Sequence, residues 1–331
     1  MVNEHKTWRG VHLLVNSNKD VSSLMEELHE LASLGVNVII IEVDYNYAYS
    51  SHPELRGPDP ITPDYAHALV EECRAHDISL IPEFQCLGHQ SWGSTTFSLL
   101  AKYPEFDETP GQFPNNEGIY CRSWCPQHPE INKIVFSMFD ELIDIFDSDA
   151  LHVGMDEVFL IASEYCPRCR NHSPSQLFAK AVNEFHDYLK GRGVEMLMWG
   201  DRLLDSKATG YGMWEASENQ TYFAIDMIPN DIIICDWHYS KREDYPSIPF
   251  FLGKGFRVLP SGWKDIEATR AFIAFSQKFK DDKRMLGYLC TTWGAVKLRQ
   301  LAQWPPLKLA MEMLSQQDPL NPTPPTCFKI N

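Results

Sequence analysis

Two consecutive carboxylates, Asp156 and Glu157, follow directly on an apolar run that ends at Gly154. Adjacent side chains on a regular strand point to opposite faces, so this pair can reach one ligand only where the strand is ending. In ordinary two-carboxylate glycosidases the acids stand about 5 to 9.5 Å apart and flank the scissile bond. Sequence neighbours suit another division of labour, in which Glu157 protonates the leaving oxygen and Asp156 holds a substrate group that attacks the sugar carbon. An acidic pair that caps a helix is the alternative interpretation.

Aromatic side chains end three of the predicted strands, at Trp199, Trp237 and Trp293. Aromatic walls suit a sugar ring or an N-acetyl methyl group, because their apolar faces stack while directed polar groups fix the hydroxyls. For any single tryptophan, burial in the core is the alternative. Three at equivalent positions favour a binding wall.

Polar side chains that could bind hydroxyls lie near the other strands. They are Arg9 at the start of the first strand, Glu42 and Asp44 at the end of the second, and His89 after the third. A hydrogen-bonded loop histidine is the alternative for His89. We expect His89 to pair with Glu42 or Asp44.

Apolar runs alternate with amphipathic segments along the chain. The predicted strands are 8–15, 36–43, 78–84, 150–153, 194–199, 232–237, 256–260 and 285–293, and the predicted helices are 20–34, 63–76, 129–147, 174–191, 217–227, 241–253, 264–280 and 295–315. Eight such alternations with continuous apolar strands predict an α/β fold, a closed (β/α)8 TIM barrel that forms a single catalytic domain. The longer excursions 45–61 and 85–128 follow strands, so we expect them on the catalytic face.

Residues that begin and end helices agree with this pattern. Asp20 is predicted to cap the first helix, Thr62 and Pro63 to begin the second, and Gly191 and Gly193 to end the fourth. We expect the catalytic domain to span residues 1–317. The Pro-rich segment 318–331 is predicted to be a tail with little structure.

Charge and length exclude several classes of function. The chain has 331 residues, with 29 Lys and Arg against 45 Asp and Glu, and a net charge of −16. This negative charge argues against binding to nucleic acids or anionic membranes, because basic patches supply the affinity in such proteins. Residues 1–9 are polar, and no run of 18 apolar residues occurs, so we expect a soluble, cytoplasmic protein.

The nine cysteines predict thiols, because an odd number without a secretion signal does not indicate a disulfide framework. Cys121, Cys125, Cys166 and Cys169 could together hold a tetrahedral structural zinc ion. One half of that set has C-x₃-C spacing, however, so free and partly buried thiols are the interpretation we favour, and no metal is assigned.

Several motifs in order along the chain resemble glycoside hydrolase family 20, the β-N-acetylhexosaminidases. They are Trp8-Arg9-Gly10, Ile81-Pro82-Glu83, Gly88-His89, the run 152–158 around Asp156-Glu157, and the strand-ending tryptophans. The resemblance extends from about residue 8 to residue 300. The runs 41–49 and 82–89 are most similar to the hexosaminidase D-like branch of that family.

The resemblance implies removal of terminal GlcNAc or GalNAc with retention of configuration. The substrate's 2-acetamido oxygen would attack the anomeric carbon and form an oxazolinium ion, with no cofactor and no enzyme nucleophile. Carried over by position, Glu157 matches the general acid/base, Asp156 the residue that orients the acetamido group, and Arg9 the residue that binds the 3- and 4-hydroxyls. The remaining matches are His89 as a histidine at the site and Trp199, Trp237 and Trp293 as a box around the acetamido methyl. The partner is then a small carbohydrate, and a homodimer stays open.

Two departures from the family pattern bear on specificity. Many members carry a Trp-Tyr-Leu-Asp run after strand seven whose tyrosine donates to the acetamido oxygen, whereas this chain has Leu259 to Trp263 without a tyrosine. Tyr239, after strand six, is our candidate for that hydroxyl. An acid that often follows the last tryptophan is absent, since Gly294 and Ala295 follow Trp293, and this leaves GalNAc open as a substrate.

Two rival functions stay open. One is a carbohydrate-binding or regulatory barrel that has lost turnover, which the intact Asp156 and Glu157 disfavour. The other is a different hydrolase for N-acetyl sugars that also uses an Asp-Glu pair.

Overall fold

Eight parallel strands close into a barrel in the computed structural model, which describes residues 7–316. They are β1 Trp8–Leu14, β2 Val38–Glu42, β3 Ser79–Cys86, β4 Ala150–Gly154, β5 Glu195–Trp199, β6 Ile233–Trp237, β7 Arg257–Gly262 and β8 Gly287–Thr291. Each strand pairs with the next in sequence, and β8 closes on β1 through the register Trp8 to Gly287. The prediction of a (β/α)8 barrel is therefore confirmed. The predicted tail 318–331 lies outside the described residues.

Helices surround the barrel and mostly occupy the predicted segments. The α-helices are Asn18–Met25, Leu28–Leu34, Pro63–Ala75, Ser98–Lys102, Ile131–Phe146, Pro174–Gly191, Ser206–Thr209, Ser247–Gly253, Ile266–Ser276 and Pro305–Ser315. A short antiparallel hairpin, Ser91–Trp92 with Thr95–Thr96, lies in the long segment after β3. Among the described residues, no helix has the length and apolar character needed to cross a bilayer.

Four predicted helices differ from the structure, and in one of them, 241–253, only Ser247–Gly253 is helical. The segment 20–34 is two helices, because Glu27 N–H bonds to Leu24 O in a tight turn that ends the first. The segment 217–227 contains only the 3₁₀ turn Thr221–Asp226, preceded by Gln220 in the left-handed region at φ +67°. The segment 295–315 is interrupted before Pro305, which lacks the N–H needed inside a helix and instead begins one.

Two of the predicted caps also need correction. Ser17, and not Asp20, is the N-cap of the first helix, and its hydroxyl accepts from the backbone N–H of Asp20 at 3.3 Å. Thr62 occupies the predicted N-cap position before Pro63, but its side chain makes no capping hydrogen bond. Helix Pro174–Gly191 ends where Gly191 and Gly193 predicted it.

The barrel interior is filled by an apolar cluster that is separate from the core between strands and helices. Its members are Trp8, Val38, Ile40, Ile81, Ala150, Leu197, Trp199, Ile233, Cys235, Trp237, Leu259 and Leu289. Strand residues alternate between this interior and the outer face, so Trp8 points inward while Val11 and Leu13 pack outside. The apolar filling fixes the strands and forms the base on which the polar residues nearer the carboxyl ends rest.

A fully buried carboxylate, Glu83 on β3, lies above that filling. His12 Nε2 is 2.9 Å from one of its oxygens, and His152 Nδ1 is 3.1 Å from the other, which also accepts from Trp199 Nε1 at 3.0 Å. Burial alone would raise the pKa of Glu83, but His152 and His12 lower it far below its usual value. Burial lowers the pKa of His12, yet the Glu83 carboxylate outweighs it and raises that pKa to about 9.

We predict that Glu83→Gln lowers the free energy of unfolding by about 3 kcal/mol, because it leaves a buried histidine without its counter-charge. The Glu83 contribution is complete above its unfolded pKa of 4.5, and the His12 contribution is complete below 6.5 and disappears as the pH rises through about 9. The difference between wild type and variant should therefore be largest between pH 4.5 and 6.5 and shrink toward pH 9. Urea unfolding across this range measures it.

Glu184→Gln serves as the control, because the partly exposed Glu184 forms an ion pair with Lys180 one helical turn away, and a glutamine oxygen can still accept the hydrogen bond from Asn132. Its effect should stay within about 0.5 kcal/mol at every pH. A Glu83→Gln penalty that does not change between pH 6.5 and 9 would contradict the ion-paired network.

Candidate active site

A cavity of about 830 Å³ opens at the carboxyl ends of the strands. Loops after β2 and β3, as predicted for the catalytic face, form one wall together with the end of β4, and the ends of β6 and β8 form the other. Eight of the ten predicted site residues line it, namely Glu42, Asp44, His89, Asp156, Glu157, Trp237, Tyr239 and Trp293. Arg9 and Trp199 do not.

The two carboxylates reach the same ligand position because the backbone leaves the strand conformation between them. Gly154, Met155 and Glu157 all have positive φ, at +67°, +77° and +49°. Asp156 and Glu157 then both approach His89, whose Nε2 is 3.4 Å from Asp156 Oδ2 and 3.0 Å from Glu157 Oε2. Opposite faces of a regular strand could not give this arrangement.

His89 lies between the two carboxylates. Burial lowers its pKa, but Asp156 above all, together with Glu157, raises it well above the usual value. The expectation that His89 pairs with Glu42 or Asp44 is therefore wrong. His12 is the histidine that approaches Glu42, with a distance of 3.5 Å between Nε2 and Oε2.

Side chains outside the sequence motifs hold the Asp156 carboxylate and the Glu157 backbone in place. Gln85 Nε2 donates to Asp156 Oδ1 at 2.5 Å, and the backbone N–H of Glu157 donates to Asp201 Oδ2 at 3.0 Å. Burial raises the pKa of Asp201 to about 6, against the lowering effect of Arg202. Arg202 Nε donates to Asp201 at 2.6 Å. Asp201-Arg202 stands just after β5, and this position at a strand end was the available signal.

Aromatic rings form the wall opposite His89. Trp237 stacks on Tyr239 with ring centroids 4.8 Å apart, and Trp263 lies 5.4 Å from Tyr239. Trp293 Nε1 donates to the Tyr239 hydroxyl at 2.6 Å. The wall is therefore a connected set of rings rather than three independent tryptophans.

Trp199 supports this wall from below instead of lining the cavity, which corrects its predicted position. Its side chain is fully buried, its ring centroid lies 5.7 Å from that of Trp293, and its indole N–H is bonded to Glu83. The rings of His12, His152 and Trp293 cover this last residue of β5.

The predicted role of Arg9 in sugar binding is wrong on this geometry. Arg9 stands near the amino end of β1, roughly 16 Å along the strand from Leu14, which lines the cavity. Its neighbour Trp8 faces the barrel interior, so Arg9 faces outward. A Cβ placed on Gly35, in the helical layer, would lie 3.3 Å from the Arg9 guanidinium.

The loops contribute residues that motif reasoning did not identify. Asn16 follows β1, Trp92 lies in the hairpin after β3, and the Tyr120 ring centroid lies 5.8 Å from that of His89. Trp92 is 59% exposed and Tyr120 38% exposed, and their rings meet at a centroid distance of 5.6 Å. They form an apolar rim at the cavity entrance beside the acidic pair.

Three sets of described side chains have the composition of a metal site. Two of them, His12 with Glu42 and Glu83 and His89 with Asp156 and Glu157, already neutralise charge by ion pairing within the barrel. The third consists of Glu108, Cys125, Cys166 and Cys169 and lies outside the cavity lining.

Comparison with known proteins identifies a single family. The model described as the catalytic domain of glycosyl hydrolase family 20 matches residues 24–287. A β-hexosaminidase of Akkermansia muciniphila is 40% identical over 105 residues, which cover 31% of this chain and 20% of that protein. The β-hexosaminidase subunit beta of Felis catus is 26% identical over 182 residues, covering 51% of this chain and 32% of that one.

Solved structures share the barrel. The Flavobacterium johnsoniae chitobiase superposes with a TM-score of 0.70 at 20% identity, over 94% of this chain and 48% of that chain. The β-N-acetylhexosaminidase of Bacteroides fragilis gives a TM-score of 0.65 at 16% identity, over 94% and 66%. The matches to the two hexosaminidase sequences thus span a third or less of those proteins, whereas the fold agrees over almost all of this chain.

We predict that Gly154→Ala costs more stability than a left-handed backbone alone explains. A Cβ on Gly154 would overlap the Gln85 amide, which must move away from Asp156 to make room. We expect about 1 kcal/mol from the positive φ and a further 1 to 3 kcal/mol from the overlap. Urea unfolding measures the sum.

The matched control is Gly118→Ala, at φ +85° with open space around the position. It should show the backbone cost of about 1 kcal/mol alone. Equal losses in the two variants would mean that Gln85 is not held against Gly154.

Proposed function

The chain belongs to glycosyl hydrolase family 20, and from this premise we propose that it is an exo-acting β-N-acetylhexosaminidase that removes terminal β-linked GalNAc or GlcNAc. The observation that carries the proposal is the contact of Asp156 and Glu157 with one histidine, His89, opposite an aromatic wall. An acid and an orienting carboxylate on one side and rings for an acetamido methyl on the other are the groups that this reaction requires.

The position of the acidic pair supports substrate-assisted hydrolysis with retention. One oxygen of Asp156, one of Glu157 and the His89 nitrogen all lie within 4.8 Å of one another. Two carboxylates this close on one side of a cavity do not flank a glycosidic bond with a water between them, as inversion requires. In the proposed mechanism Glu157 protonates the leaving oxygen, and the acetamido oxygen attacks the anomeric carbon.

Asp156 then orients the acetamido N–H and balances the positive charge that develops on the oxazolinium ring. Gln85 and His89 hold this carboxylate from two directions, so it does not need to reorganise during the reaction. Glu157 subsequently takes a proton from water, which opens the oxazolinium ion with the original configuration.

Tyr239 is the proposed donor to the acetamido oxygen. Its hydroxyl oxygen already accepts from Trp293 Nε1, so its own proton is available for an acceptor in the cavity. Burial raises the pKa of Tyr239 well above its usual value, and the hydroxyl stays protonated. Trp237 and Trp293 lie on either side as contacts for the acetamido methyl. Glu42 and Asp44, on the opposite wall, are the proposed partners of the sugar hydroxyls.

The shape of the site supports exo action. Trp199 and the Glu83 network close the floor under Trp293, which favours a sugar that enters as a chain end. The rim formed by Trp92 and Tyr120 faces the leaving group, where apolar rings stack on varied aglycones.

A panel of aryl β-glycosides separates this proposal from its rivals. Turnover of the GalNAc and GlcNAc compounds, with glucosides and galactosides untouched, supports it. A barrel that binds carbohydrate without catalysis would bind GlcNAc but cleave none of the four. Cleavage of the N-acetyl glycosides with inversion at the anomeric carbon would instead indicate a different Asp-Glu hydrolase.

We predict that aryl β-GalNAc is cleaved at least as well as aryl β-GlcNAc. Gly294 and Ala295 replace the acid that often follows the last tryptophan, and the space beside Gly294 is open. A site that hydrogen-bonds a hydroxyl rejects the wrong epimer strongly, and removing that partner relaxes the choice. A GlcNAc preference in kcat/KM of about 100-fold would rule this out.

We predict that the two carboxylates respond differently to the leaving group. Glu157→Gln should lose about 10² to 10⁴ in rate on a glycoside with a poor leaving group and much less on a nitrophenyl glycoside, which needs little protonation. Asp156→Asn should lose activity on both, because the acetamido group must be oriented in either case. Pre-steady-state kinetics on the two substrates measure the glycosidic bond cleavage.

Glu164→Gln, an exposed acid on the same loop, should leave both rates unchanged. Equal sensitivity of the two catalytic variants to the leaving group would contradict the division of roles. Trapping of a 2-fluoro sugar on Asp156 or Glu157 would refute substrate assistance.

A further inference from the structure

Three cysteines and one glutamate meet in the loops outside the barrel. Cys125 and Glu108 belong to the long segment after β3, and Cys166 and Cys169 belong to the segment after β4. One ligand atom from each of the four lies within 4.8 Å of all the others, and all four residues are buried. We call this set the thiolate cluster.

The spacing of the sulfur atoms in the thiolate cluster fits a metal ion. Cys125 Sγ is 3.3 Å from Cys169 Sγ and 3.4 Å from Cys166 Sγ. Zinc bonds sulfur at about 2.3 Å with tetrahedral geometry, which places two sulfur ligands roughly 3.8 Å apart. The observed separations are within a few tenths of an ångström of that value. They are well beyond the 2.05 Å or so of a disulfide bond.

Backbone hydrogen bonds fix the loops that carry the cysteines. The N–H of Cys166 donates to Ser163 O at 3.1 Å, that of Cys125 donates to Phe106 O at 2.7 Å, and that of His172 donates to Cys169 O at 2.9 Å. The loops therefore hold the sulfur atoms in position relative to one another.

Glu108 provides a fourth ligand that the cysteine count could not show. Its Oε1 accepts from the backbone N–H of Ser163 at 2.9 Å. Its Oε2 is buried and makes no hydrogen bond, although Glu108 is fully shielded from solvent. An unbonded buried carboxylate oxygen facing three sulfurs costs free energy that a bound cation would recover.

We propose that Glu108, Cys125, Cys166 and Cys169 form a structural zinc site with three sulfur ligands and one oxygen ligand. Each coordinated thiol and the carboxyl group give up a proton, so four ligand anions surround one Zn²⁺. Zinc fits better than the alternatives, because copper(I) selects sulfur ligands alone, iron–sulfur clusters are held by four cysteines, and magnesium or calcium prefers oxygen.

This site differs from the four-cysteine set that the sequence suggested. Cys121 lies apart from the thiolate cluster, with its Sγ 3.7 Å from the backbone carbonyl of Glu157. The C-x₂-C pair of Cys166 and Cys169 is retained, and Glu108 replaces Cys121 as the fourth ligand. The oxygen ligand is 17 residues from Cys125, a separation that no cysteine motif contains.

The zinc ion would join the two loops that carry the candidate catalytic residues. The segment that contains Cys125 also supplies His89 and Tyr120, and the segment that contains Cys166 begins with Asp156 and Glu157. Metal binding would therefore fix the position of His89 relative to both carboxylates without touching the substrate. Metal content and thermal stability are measured without a substrate. The zinc site is therefore tested independently of the proposed hexosaminidase activity.

Metal analysis of the full chain, purified under reducing conditions without a metal-affinity tag, tests the proposal. We expect about one zinc per chain in the wild type and less than about a tenth of that in Cys169→Ser. Cys73→Ser, which changes a buried thiol in helix Pro63–Ala75, is the matched control and should keep the metal. A strong chelator should lower the Tm of the wild type and of Cys73→Ser.

Cobalt(II) provides a second measurement if Cys169→Ser does not fold. Added to metal-free, reduced wild type, Co²⁺ should give the intense visible bands of tetrahedral thiolate coordination, and Zn²⁺ should remove them. Glu108→Gln, which keeps the size of the side chain, should weaken Zn²⁺ binding by 10-fold or more. Its Co²⁺ spectrum should show the loss of one ligand.

Three results would overturn the proposal. One is a reduced wild type that binds neither Zn²⁺ nor Co²⁺. Another is metal loss in Cys73→Ser equal to that in Cys169→Ser. The third is a metal-free native protein whose intact mass lacks two hydrogens, which would indicate a disulfide within the thiolate cluster.

Discussion

The buried carboxylate of Glu83 is the interaction on which the rest of the site depends. A single negative charge without solvent positions His12, His152 and the indole of Trp199. Trp199 then supports Trp293, which is bonded to Tyr239 at the cavity wall. Removing a charge of this kind leaves its partners buried and uncompensated, which is why one partner cannot be changed without the others. The orientation of the aromatic wall thus derives from electrostatics at the barrel centre.

Backbone strain at the strand ends is the second constraint. Asp44, His89, Glu157 and Trp293 are all non-glycine residues with positive φ, and all four line the cavity. Each such conformation costs of the order of 1 to 3 kcal/mol, and the closed barrel keeps it in place. The positive φ angles direct side chains from separate strands into the cavity. On regular strands, half of these side chains would point away from it.

The sequence predicted the barrel well because continuous apolar runs are a local property. It also identified Asp156 and Glu157, which are consecutive in the chain. Arg9 was misplaced because a motif gives the order of residues but not the face or the end of the strand that carries them. Asp201, Gln85 and Glu108 escaped notice because each acts through a partner 44 or more residues away or through a cluster without a fixed spacing. The helix predicted over 217–227 is also wrong, since only the 3₁₀ turn Thr221–Asp226 forms there.

One peptide bond joins the residue proposed to protonate the leaving group to the residue proposed to orient the substrate. The peptide bond fixes the separation of their Cα atoms, and the left-handed backbone at Gly154, Met155 and Glu157 turns both side chains toward one position. The hairpin at Trp92 and the segment around Tyr120 can change in length or composition while the chemistry beneath them stays in register. Selectivity for the aglycone can then change during the evolution of this fold faster than the catalysed reaction does.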